Sequence, residues 1–194
     1  MILRTLFKFI LAMLPFWQMA LGQSFEITFS QNGDTIQFEK YVVHLKKDPF
    51  VIHVTLDSLH GVFVNCTFDS VVYNGALQRN LPDFQTTGWK VSVETEFNKD
   101  NELLIQDQES YCYWFYDPQH YDWHRFDANV YVSGSQVKAT KTVRQFFDLI
   151  LNETRPLQAI NEPVYLTFFS ITGSFKDESA KLAQVEAYRL IFED

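Results

Sequence analysis

The sequence predicts a mostly β domain, with an α+β arrangement as the alternative: one antiparallel β-sandwich-like or curved-sheet body carrying a packed amphipathic helix near residues 142–151. Three observations carry this expectation. Short segments alternate apolar and polar residues at the two-residue period of a half-buried strand. Turn-forming residues separate those segments at hairpin distances. One stretch changes instead to a helical period.

The first hairpin is the clearest element. Phe25, Ile27 and Phe29 alternate with polar residues, Asn32-Gly33 supplies the positive φ of a tight turn, and Ile36 and Phe38 resume the alternation. A second hairpin is expected from Tyr41, Val43 and Leu45, a turn at Lys46-Lys47-Asp48-Pro49, and Phe50, Ile52, Val54 and Leu56 returning on the same face. In that register His44 and His53 stand diagonally on the polar face. Gly61 opens a further strand over 62–68.

Residues 70–88 lose the period and gather Asn74-Gly75, Asn80, Pro82 and Gly88, an irregular connection with room for one short helical turn. Trp89, Val91, Val93 and Phe97 resume the alternation, followed by Leu103 and Ile105, an aromatic strand over 111–116, and Val130 with Val132. Val143, Phe146, Phe147, Ile150 and Leu151 then fall at i, i+3, i+4, i+7 and i+8, and Thr142 with Gln145 has capping-box spacing, so a helix is expected there. Val164 to Ile171 is apolar or small on both faces and reads as a central strand. The segment 181–192 fits either a strand or a helix; strand is preferred because 176–179 makes a turn at hairpin distance from the strand before it.

The chain has 194 residues, 46% of them hydrophobic and 16% aromatic, with a net charge of -8. That apolar fraction fills a core and excludes disorder. The acidic balance excludes a nucleic-acid module, because phosphate binding requires a basic footprint. Residues 1–22 have the parts of a secretory signal: Arg4 and Lys8, an apolar run from Phe9 to Trp17, and the small-residue pattern Ala20-Leu21-Gly22. Pro15 and Gln18 make the same segment a poor membrane anchor, and no integral membrane segment is expected after its removal. With no repeat and no shift of composition, 23–194 reads as a single β-rich domain beginning at Gln23.

An exported chain with two cysteines predicts a Cys66–Cys112 disulfide, closing a loop of roughly 46 residues and contributing ~4 kcal/mol in the chain-entropy model. Asn65-Cys66-Thr67 and Asn152-Glu153-Thr154 both match the N-glycosylation pattern.

The densest chemical feature is the tract from Tyr111 to Asp127, in which eight of the seventeen residues are Phe, Tyr or Trp. A strand has two faces, and one of them is enough to serve the core. The surplus rings are therefore candidates for recognition, and Trp114, Tyr116, His120, Tyr121, Asp122, Trp123 and His124 form the expected ligand-binding set. Rings beside carboxylates and amides suit a protein partner or a carbohydrate; an ordinary aromatic core strand explains the same composition. His120 and His124 with Asp117, Asp122 or Asp127 have the elements of a two-histidine, one-carboxylate metal site, but the Asp117-Pro118 turn does not set them on one helix face. His44 and His53, with His60 from the next loop, form a second and weaker histidine group.

The 23–194 segment contains no G-x-S-x-G, H-E-x-x-H, P-loop or G-x-G-x-x-G motif. Glu94 and Glu96 share a face but read as the solvent side of a strand rather than an acid/base pair. The expectation is an exported, cofactor-free binding protein whose charge steers it toward a basic partner such as a toxin or lytic enzyme, in the manner of an inhibitor or immunity protein, or which binds carbohydrate. The competing expectation is a metal-dependent hydrolase using His120, His124 and a nearby aspartate.

Overall fold

The computed structural model describes residues 24–56, 62–78, 102–106, 112–113, 129–134, 136–148, 151–172 and 181–194. The strands are β1 (Phe25–Gln31), β2 (Asp34–Ile36), β3 (Val42–Lys46), β4 (Phe50–Leu56), β5 (Phe63–Thr67), β6 (Leu103–Gln106), β7 (Cys112–Tyr113), β8 (Asn129–Ser133), β9 (Gln136–Val143), β10 (Gln145–Asp148), β11 (Glu153–Pro156), β12 (Val164–Thr172) and β13 (Lys181–Glu193). One α-helix, α1 (Ser70–Leu77), and a 3₁₀ turn at Leu157–Ala159 complete the described elements.

Two five-stranded sheets face each other, in the orders β2-β1-β4-β9-β8 and β3-β13-β12-β5-β7, and a three-stranded sheet, β11-β10-β6, adjoins them. The first is antiparallel throughout. The second mixes antiparallel pairs with a parallel β13–β3 pair. Alternation along β1 and β4 sends Phe29, Phe50, Ile52 and Val54 inward, where they meet Leu166, Phe168, Tyr188 and Leu190. The Phe29 ring meets Tyr188 edge-on at 5.2 Å, and Phe50 lies 5.9 Å from Phe192. Edge-to-face rings of this kind add to the area they bury. β1 thus lies over β13, both orders run the same way, and β2 and β3 bound one lateral side of the sandwich while β7 and β8 bound the other.

The first hairpin forms as its sequence predicts, with Asn32 and Gly33 at φ 53° and 90° between β1 and β2. Strand character over 181–193 and the central place of β12 also agree with the pattern. The second hairpin does not form. β3 joins the second sheet beside β13, whereas β4 pairs with β1 and β9 in the first, so residues 47–49 cross between layers. The buried Gln31 side chain holds this crossing by accepting from Lys46 N–H at 2.9 Å and donating to the carbonyls of Lys46 and Asp48 at 3.0 and 2.8 Å.

The helix expected over 142–151 is absent as well. Thr142 and Val143 end β9, Arg144 bends the chain, and Gln145–Asp148 forms β10 between β11 and β6. Val143 and Phe146 are fully buried in the common core, with Phe146 6.0 Å from Phe68 and 6.1 Å from Phe192. A strand covered on both faces buries consecutive residues, and Phe146, Phe147 and Asp148 do so, giving the i, i+3, i+4 spacing without a helix. The helix that exists lies in the connection after β5. Asp69 caps it by accepting from Val71 N–H at 2.8 Å, Ala76 is buried, and Tyr73 packs 4.9 Å from Tyr165 on the outer face of the second sheet. Tertiary contact thus overrides the weak helix propensity of Asn74-Gly75.

At the start of β1, the Gln184 side chain bridges the Phe25 backbone, accepting from its N–H at 2.9 Å and donating to its carbonyl at 2.8 Å. Gln184 also donates to Glu186, which accepts from the Tyr188 hydroxyl. Burial first, and then the Glu186 carboxylate, push the Tyr188 phenol far above its ordinary value, so it remains a donor.

Candidate functional site

The expected binding residues Trp114, Tyr116, His120, Tyr121, Asp122, Trp123 and His124 lie outside the described residues, as do Asp117, Asp127, His60, Glu94 and Glu96. The described strands fix where the tract is attached. The chain enters it from β7, the edge of the second sheet, and returns at β8, the edge of the first. Among the described residues no group of three His, Cys, Asp or Glu side chains is placed to hold a metal.

The cysteines do not stand opposite each other. Cys112 pairs in register with Val64, two residues along β5 from Cys66 and on the same face. Diagonal cross-strand neighbours sit ~7–8 Å apart. A disulfide needs Cα atoms ~4.4–6.8 Å apart, so this register does not close the bond. The sequons also differ in setting. Asn65 is 1% exposed within β5, and its strand pairs on both sides; Asn152 is exposed, in the left-handed turn between β10 and β11. A glycan has room at Asn152 and none at Asn65 in the folded chain.

His44 and His53 are separated into different sheets rather than set diagonally. His53 Nε2 lies 2.8 Å from Ser30 Oγ on the outer face of the first sheet, and burial lowers its pKa. This is a hydroxyl and a base within hydrogen-bond reach, but among the described residues no carboxylate is recorded orienting the ring, so the triad logic is incomplete. His44 Nδ1 donates to Glu193 Oε1 at 2.6 Å, a pairing that follows from the parallel β3–β13 register.

A groove of about 340 Å³ opens beside His44, lined by Gln37, Phe38, Glu39, Val42 and His44. It lies at the edge strand β3, on the lateral side opposite β7 and β8. A tight turn forms one end of it: Val42 N–H donates to the Glu39 carbonyl at 2.9 Å, and Lys40 and Tyr41 between them have φ 49° and 64°. Two positive φ values are what a type I′ turn requires, and Asn-Gly normally supplies them. In L-residues without that licence each costs ~1–2 kcal/mol. Part of that cost is offset by the Tyr41 ring, which meets Tyr188 edge-on at 5.4 Å while staying 44% exposed. The Lys40-Tyr41 dipeptide carries no sequence signal for such a turn, which is why the groove is not legible in the pattern.

Three described arginines contrast with one another. Arg144 pairs with Glu102, and Arg155 pairs with Glu162 at 2.6 Å while lying over the Phe68 ring. Burial alone would raise the Glu162 pKa, but the hydrogen bond and charge of Arg155, with the Asn161 N–H, bring it below the ordinary value. Arg189, between β3 and β12 on the outer face, has a buried Nε with no hydrogen-bond partner.

No family model, curated protein or solved structure matches this chain.

Proposed function

We propose that this chain is an exported, non-catalytic binding protein that recognises a basic protein partner through the aromatic tract around 111–126. The observation that carries the reading is the tract's composition together with its points of attachment: the chain leaves β7, at the edge of one sheet, and returns at β8, at the edge of the other. Its rings are the residue types that dominate protein–protein hot spots, and a net charge of -8 favours a cationic partner over an anionic one. Carbohydrate remains the second ligand class for the same rings. Export rests on residues 1–22, and β1 begins at Phe25, close after the expected junction at Gln23. No helix among the described residues is long and apolar enough to cross a membrane. Oxidation of Cys66 and Cys112 on export belongs to the same proposal, and closing that bond requires β7, a two-residue edge strand, to slide along β5.

The experiment is Trp123→Ala in the exported chain. A recognition ring leaves the melting temperature nearly unchanged and weakens capture of the basic partner by ~2 kcal/mol or more. A core ring loses ~3–5 kcal/mol of stability instead, and that result ends the reading. The intact mass of the same secreted, non-reduced sample checks export: a chain starting at Gln23 and two protons lighter than its reduced form is expected.

A further inference from the structure

We propose that Asn152 carries an N-linked oligosaccharide and that Asn65, which matches the same acceptor pattern, stays unmodified in the folded protein. The inference rests on the export reading above and adds what the secretory route does to the chain. Each asparagine has a threonine two residues on, so the pattern alone treats them alike. The fold separates them.

Asn152 lies in the turn that joins β10 to β11, and Leu151, Asn152, Glu153 and Thr154 are all exposed. Among the described residues β11 pairs with β10 alone, as the border strand of its sheet, so the acceptor segment is open along its other side to a transferase and to the sugar it attaches. The turn has a defined shape: Leu151 N–H donates to Asp148 Oδ1 at 3.0 Å, and Asn152 follows at φ 55°. Asparagine tolerates that left-handed region better than most side chains, which accounts for the residue at 152 by conformation alone. The exposed Thr154 is what makes it an acceptor. At the other match, Asn65, Cys66 and Thr67 are 1%, 2% and 1% exposed in β5, where Asn65 stands opposite Thr167 of β12. A bulky, hydrated sugar on Asn65 and closure of this strand exclude each other.

The step is a glycosyl transfer with no change of oxidation state. Asn152 Nδ2 attacks the anomeric carbon of an oligosaccharide carried on a lipid diphosphate; the C–N bond forms as the C–O bond to the diphosphate breaks, the lipid diphosphate leaves with that electron pair, and the amide proton passes to solvent through the transferase.

The test is expression of the full 1–194 chain in cultured insect cells, beside a second version with the leader of a known secreted protein in place of residues 1–22. Protein is taken from the medium and from the secretory lumen. Its mass should fall on treatment with a peptide N-glycosidase, which turns the asparagine it frees into aspartate, and peptide mapping should find that conversion at 152 and not at 65. Thr154→Ala should abolish the glycan, and Thr154→Ser should retain it. The proposal is overturned if the mass does not change, if folded protein carries the conversion at 65, or if Thr154→Ala keeps a glycan at 152. Entry into the secretory route with the borrowed leader alone would end the export reading, and the mass of that version would still decide Asn152.

Discussion

Replacing Gln31 by Ala tests how the chain crosses from one sheet to the other. Gln31 is 6% exposed at the end of β1, and its amide makes three hydrogen bonds to the backbone of Lys46 and Asp48. Each such bond contributes about 1 kcal/mol net, and a backbone group left buried without a partner costs ~1–3 kcal/mol. Lys46 and Asp48 are themselves exposed, so water reaches part of what the amide releases. The expected loss is therefore ~2–3 kcal/mol, a large share of a stability of ~5–15 kcal/mol. Urea denaturation should show a lower midpoint with an unchanged slope, since the surface exposed on unfolding stays the same. Gln31→Glu keeps the acceptor, loses both donations and sets a charge against two carbonyls, so it should be at least as damaging as alanine at neutral pH and recover in acid as the carboxyl protonates. A loss below ~0.5 kcal/mol for Gln31→Ala would show that the amide does not hold the crossing.

Two other substitutions probe polar groups in unusual settings. Arg189→Met removes a guanidinium whose Nε is buried without a partner and keeps much of the side chain's length; thermal melting should show no loss, and a gain of up to ~2 kcal/mol, whereas a loss above ~1 kcal/mol would reveal an interaction of the charge that the arrangement does not display. Burial lowers the His53 pKa from 6.5, so the unfolded chain binds more protons than the folded one below that value. The contribution of this group to stability is complete above about pH 6.5 and is lost as the pH falls toward the lower folded pKa. Urea midpoints measured from neutral to mildly acidic pH should fall less steeply for His53→Gln than for the parent; equal slopes would refute the shift.

Sequence pattern reports which face of a strand is buried more faithfully than which strand lies beside it. β1 and β2 were legible because alternation and Asn32-Gly33 act within a few residues. β3 and β4 carry equally clean alternation, and their inward residues Val43, Leu45, Phe50 and Ile52 are all buried. Their partners, however, lie far along the chain: β13 for one, and β1 with β9 for the other. Nothing in a local period encodes that choice. The helix expected at 142–151 failed for a related reason, because Phe146, Phe147 and Asp148 are covered on both sides and a strand so enclosed has no polar face to mark its period. The groove stayed hidden because its turn uses Lys40-Tyr41, against the propensity of both residues, and is held by the Tyr188 ring from β13.

The same arrangement explains why recognition is sought at the sides of this sandwich. The inner faces of both sheets are filled by their own rings and aliphatic side chains, and α1 covers part of the outer face of the second sheet. A ligand gains little from a face whose side chains are already committed to one another. The edges differ, since β7 and β8 at one side and β2 and β3 at the other each pair along one border within their sheets. The strained Lys40-Tyr41 turn lies in the connection between the second two. Exposed strand borders are a liability that a protein must cover or use.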